Sequence, residues 1–137
     1  MRPHAYAILL TAIALSGCGG SDDAPTEATP TATAGEARFP TIVKARANRA
    51  GPGRYDFHVT VSSPYDSPER YADGWRVLAP DGKVLGEHEL AHDHANEQPF
   101  TRVQRGVSIR SGIDTVEIEP SDLKNGYGGK RVRVMLP

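Results

Sequence analysis

The chain has 137 residues, of which 16 are Lys or Arg and 17 are Asp or Glu, for a formal net charge of −1. That balance excludes the positive excess with which nucleic-acid binders neutralise phosphates. A single cysteine excludes an internal disulfide, so one modest apolar core has to hold whatever folds.

Arg2 gives the chain a minimal positive start, and Ala5 to Leu15 form an apolar run of about a dozen residues. Such a run suits a signal peptide and falls short of the roughly 20 residues needed to span a bilayer. It ends in Leu15-Ser16-Gly17-Cys18, a branched apolar residue, two small ones and the lone cysteine. This resembles the lipobox of bacterial lipoproteins. The resemblance implies removal of residues 1–17, a diacylglyceryl thioether on Cys18 and an acylated (palmitate-type) amine. The residue types fit that chemistry: small side chains suit a peptidase, and only a thiol forms the thioether. Two or three acyl chains then anchor stably where one holds only marginally. The competing reading is an ordinary secretory signal cut elsewhere, with Cys18 free or removed. Gly19 stands where inner-membrane lipoproteins of many diderm bacteria carry aspartate. The resemblance therefore implies the outer membrane, with the domain facing the periplasm.

From Cys18 to Arg38 the chain is rich in Ala, Thr, Pro and Gly and has almost nothing large and apolar to bury. Residues 18–38 therefore read as a lipidated cysteine followed by a disordered tether. About twenty such residues reach about 25 Å in the root mean square.

After Phe39-Pro40 the pattern changes to period two, and residues 39–137 read as one all-β domain. Tyr55, Phe57, Val59 and Val61 alternate with Asp56, His58, Thr60 and Ser62, the mark of a half-buried antiparallel strand. Val116 and Ile118 alternate in the same way, as do Val132, Val134 and Leu136. Pro80-Asp81-Gly82 separates Trp75–Leu78 from Val84-Leu85; proline presets φ there and glycine accepts φ > 0. With Ile42–Ala47 and a segment from about Phe100 to Ile109, seven short strands result. The expectation is a two-sheet antiparallel sandwich of immunoglobulin or fibronectin type III kind, with Trp75 as a core residue on the third strand. An open barrel is the alternative. Asn125 to Lys130 reads as a long glycine turn, because no helix follows to point amides at a phosphate.

One segment carries candidate chemistry, Glu87 to Pro99, where three of the five histidines fall within seven residues. In an extended chain His88, His92 and His94 share a face. His92 and His94 form a candidate metal pair, with His88, Glu97 or Asp93 as third donor, and imidazole with carboxylate suits Cu²⁺ or Zn²⁺. The plainer reading is a solvated loop whose histidines cap turns. His58 and Met135 read as outward-facing surface residues. No nucleophile elbow or phosphate loop is present, so the domain reads as non-catalytic.

The loop Ser63–Tyr71 carries Tyr65, Arg70 and Tyr71, residue types enriched at binding hot spots. Because sandwich loops cluster at the ends of the sheets, this loop and the histidine loop are candidates for one recognition surface, with Arg102 beside them. Glu97 and Arg102 read equally well as an ion pair pinning the loop to its strand.

Several stretches occur together: Tyr71-Ala72-Asp73-Gly74-Trp75, Pro80-Asp81-Gly82, Leu85-Gly86, His92-x-His94, Glu97 to Arg102, and Gly128-Gly129. In these the domain is similar, over roughly Tyr55 to Pro137, to a family of small exported proteobacterial proteins. The resemblance implies a single extracytoplasmic domain and brings no activity with it. The reading is a lipid-anchored envelope β-sandwich serving as a binding or accessory module. Its expected partners are the membrane, through the anchor, and an envelope protein. The alternative is a periplasmic Cu- or Zn-binding protein.

Overall fold

The computed structural model describes residues 38–137. The expected signal peptide, Cys18 and all of the expected tether except Arg38 lie outside the described residues.

Eight strands follow in chain order: β1 (Thr41–Gly51), β2 (Arg54–Ser62), β3 (Ala72–Leu78), β4 (Val84–Glu89), β5 (Phe100–Ser108), β6 (Thr115–Asp122), β7 (Gly126–Tyr127) and β8 (Val132–Met135). They form two antiparallel sheets, one ordered β1-β2-β5 and one ordered β4-β3-β6, with β7 and β8 both pairing β6. The protein is an all-β, immunoglobulin-like sandwich. All seven expected strands are present. The eighth, β7, lies inside the segment read as a glycine turn, because two residues are too few to show a period.

The alternation in β2 does what it predicts: Tyr55, Phe57, Val59 and Val61 are all buried. They face Trp75, Val77, Val116, Ile118 and Val134 from the other sheet in one core. Trp75 is fully buried and donates its indole N–H to Gln104 Oε1 at 2.9 Å, so its polar edge is satisfied inside the core. All residues of this core fall between Ile42 and Val134. Residues 38–137 therefore carry a complete core and constitute a folding unit by themselves.

A bulge corrects the face of β1. Between Ile42 and Lys44 the register with β2 shifts by one residue, which leaves Val43 outside and 56% exposed. Ala45 and Ala47 then sit opposite Val59 and Phe57, while Lys44 and Arg46 sit opposite Thr60 and His58. Without the extra residue, Ile42, Lys44 and Arg46 would share one face.

The two outer faces carry different charge. On the five-stranded sheet, buried Glu119 accepts from Arg76 Nε at 2.6 Å and from Arg131 Nε at 3.0 Å. Glu117 lies within 3.5 Å of Arg131 and 3.9 Å of Arg133, and the Arg76 guanidinium lies 4.3 Å over the Tyr127 ring. On the three-stranded sheet, Lys44, Arg46, His58, Thr60 and Thr101 line a cleft of about 210 Å³. His58 is hydrogen-bonded to Asn48 Nδ2 at 3.1 Å.

Candidate recognition surface

The antiparallel registers sort the connections to two ends. Arg38, the loops 63–71 and 90–99, and the segment 123–131 lie at one end. The turns 52–53 and 79–83 and the loop 109–114 lie at the other. The tyrosine loop and the histidine loop are therefore neighbours, as the fold class predicts.

What joins them is a pair of polar side chains. Asp66 is buried, and its Oδ1 accepts from Ala72 N at 3.0 Å while its Oδ2 accepts from His94 N at 2.9 Å. Gln98 answers from the other loop: its Oε1 accepts from Ser63 N at 2.7 Å, and its Nε2 donates to His94 O at 3.1 Å and Ser63 Oγ at 3.3 Å. These bonds satisfy backbone groups that no strand pairs, at positions where an orphaned group would be costly.

The histidines divide between two places. His88 belongs to β4 rather than to the loop, and it stacks on Trp75 with ring centroids 4.2 Å apart. The chain leaves the extended conformation after Glu89, so even spacing no longer places His88 with the other two. His92 and His94 do stack, at 4.8 Å, and His94 lies between His92 and Phe100, 4.0 Å from the latter. His94 is only 3% exposed, and its Nδ1 is enclosed without a hydrogen-bond partner. Burial first, then the charges of Arg102 and His92, hold its imidazole below the ordinary histidine range, against the pull of Glu97 and Asp66. The ring is neutral at pH 7 and packs as an aromatic plate. Burial likewise lowers His88. Asp93 caps Ala95 N at 3.3 Å. Among the described residues, no three His, Cys, Asp or Glu side chains group closely enough to hold a metal ion.

Glu97 and Arg102 form the expected ion pair, at 2.8 Å, and the hydrogen bond from Arg102 holds the Glu97 carboxyl below its ordinary range. Arg102 also lies 5.5 Å over the Phe100 ring. In the tyrosine loop, Arg70 lies 4.2 Å over the Tyr65 ring, donates Nε to Asp122 Oδ2 at 3.1 Å and donates Nη2 to Arg38 O at 3.0 Å. Asp122 is fully buried. Burial alone would raise its carboxyl, but the facing Tyr65 hydroxyl and hydrogen bonds from Asn125 and Arg70 outweigh this and hold it low. Burial and the same Asp122 charge push the Tyr65 phenol up, while its hydroxyl makes no well-formed hydrogen bond of its own. Tyr71 reaches Ala91 O at 3.5 Å. Tyr65, Arg70 and Arg102 are thus engaged within the domain, and the exposed positions of the joined loops are Pro64, Pro68 and Glu69 on one and Ala91, His92, Ala95, Asn96, Glu97 and Pro99 on the other.

Asp66, Gln98 and Asp122 organise this surface and escaped the reading of the sequence. Asp122 had a legible local signal. Its Oδ1 accepts from Lys124 N and Asn125 N at 3.1 and 2.9 Å, the turn that Asp-Leu-Lys-Asn-Gly favours.

Arg38 and Phe39 are bound to the same end. Arg38 O accepts from Arg70 and from Asn125 Nδ2 at 3.1 Å. A Cβ on Gly128 or Gly129 would come within 2.5 or 2.7 Å of Phe39, so both glycines are needed for the ring to lie flat on this segment. Comparison of the chain with protein-family models, with curated proteins and with solved structures finds no match in any of the three.

Proposed function

We propose that the protein is a lipid-anchored, non-catalytic binding module of the cell envelope, carried on Cys18 at the outer membrane and facing the periplasm. The joined loops 63–71 and 90–99 are its surface for an envelope protein. The observation that carries this reading is that Arg38 and Phe39 are tied to the end of the domain that carries the joined loops, by Arg70 and Asn125 and by the close contact with Gly128-Gly129. In the sequence, the polar stretch Gly19 to Ala37 separates Arg38 from the Leu15-Ser16-Gly17-Cys18 motif, and a chain of that composition has the reach to lift a small domain clear of lipid headgroups. Asp66 and Gln98 bind the backbones of the two loops to each other, which suits a rigid, preformed surface better than a reacting centre.

Cys18→Ser in the producing bacterium tests the anchor. The variant is expected in the soluble envelope fraction or as an unprocessed precursor. Membrane retention equal to wild type would overturn the reading.

A further inference from the structure

The end of the sandwich opposite Arg38 holds a cavity of about 380 Å³, within the size range of small-ligand sites. Its apolar wall is Ala79, Leu85, Ile109 and Ile113, its remaining charged lining is Lys83 and Arg110, and no carboxylate lines it. A second depression of about 230 Å³ adjoins it across Ile109, Arg110 and Ile113. Among the described residues neither Lys83 nor Arg110 forms an ion pair. The nearest acid in sequence to Lys83, Asp81, accepts at Oδ1 from the Lys83 backbone N–H at 3.0 Å, and Asp114 lines the second depression only. Backbone hydrogen bonds also frame the cavity: Ile109 N donates to Gly53 O, and Ala79 N donates to Lys83 O, both at 2.8 Å.

Cations beside an apolar wall, with no internal counter-charge, are complementary to one class of ligand. We propose that this cavity binds a small acid with an apolar body, its carboxylate against Lys83 and Arg110 and its carbon chain on Leu85, Ile109 and Ile113. The C-terminal residues of a peptide and a short fatty acid share that chemistry. The proposal names a ligand class for the binding-module reading and is independent of the lipid anchor, because the site lies wholly within residues 38–137.

The test is an amide-shift titration of the 38–137 domain by NMR with four probes: octanoate, octanamide, N-acetyl-leucyl-leucine and its C-terminal amide. At least one acid is expected to saturate with Kd below about 1 mM. The shifts should centre on Lys83, Leu85, Ile109 and Ile113, with binding about tenfold or more weaker for the matching amide. Saturation by octanoate alone assigns an acyl ligand; saturation by the peptide acid alone assigns a chain end. The double variant Lys83→Glu/Arg110→Glu should lose the binding, while Lys44→Glu/Arg46→Glu, in the separate cleft beside His58, should retain it. Acid and amide binding alike, shifts centred elsewhere, or no saturation by either acid would overturn the proposal. None of these outcomes depends on whether Cys18 is acylated.

Discussion

Replacing Asp66 by alanine separates the two loops at their buried junction. The carboxylate accepts two backbone N–H groups, from Ala72 at 3.0 Å and His94 at 2.9 Å, at a site 8% exposed. Hydrogen bonds to a charged group contribute about 1.5–3 kcal/mol each, and an N–H left unpaired in a buried site costs a similar amount. Water can reach a junction this close to the surface and restore part of the loss, so the expected destabilisation is about 3–4 kcal/mol. A domain of this size has about 5–15 kcal/mol in total, so the variant should remain folded but with its urea midpoint clearly lowered. Urea unfolding of the 38–137 domain gives the value. Trp75, the one tryptophan, is fully buried and reports the transition by fluorescence. Asp66→Asn should fall between wild type and alanine, because its carbonyl serves one N–H while its NH₂ faces the other. Amide exchange at Ala72 and His94 should accelerate in both variants. A loss below about 1 kcal/mol for Asp66→Ala, or an asparagine variant as stable as wild type, would refute the assignment of Asp66 as the junction.

Gln104→Leu strands the Trp75 indole N–H in the core and should cost about 1–3 kcal/mol in the same assay; Gln104→Glu, which keeps an acceptor, should cost less. His88 and His94 are both held below the ordinary histidine value of about 6.5, chiefly by burial. The unfolded chain therefore binds more protons than the folded one as pH falls, and stability should drop as pH falls below about 6.5. The variant His88→Phe/His94→Phe should flatten this slope, and an unchanged slope would show that other groups set it. Gly128→Ala or Gly129→Ala should drive Phe39 off its seat and open the Arg38–Phe39 bond to trypsin, read as faster cleavage there than in wild type.

The sandwich was legible because each half-buried strand repeats its side of the core every second residue. Tyr55 to Val61, Val116-Ile118 and Val132-Val134 show this, and Pro80-Asp81-Gly82 marks its hairpin through Gly82 at φ 84°. Short-range chemistry was legible too, including the Glu97–Arg102 pair five residues apart. What stayed hidden depends on distant partners. Asp66 serves an N–H 28 residues away, and Gln98 serves one 35 residues away; neither has a local pattern to announce it. His94 looks like a solvated loop residue until Phe100 and His92 close on its two faces. The bulge at Val43 likewise appears only when β1 is set in register against β2.

The unequal faces of the sandwich give the molecule a direction. Arg76, Arg131 and Arg133 are each paired with Glu117 or Glu119, so most of the charge on that side is offset locally. On the opposite side Asp56 faces Arg105 at 3.7 Å, and among the described residues Lys44 and Arg46, beside His58, form no ion pair. A chain close to neutral in total thus has a positive flank, and near a surface of either sign it experiences a torque as well as a force. At 0.1 M salt that torque acts within about 10 Å, so the domain is turned to one side only once it is almost in contact.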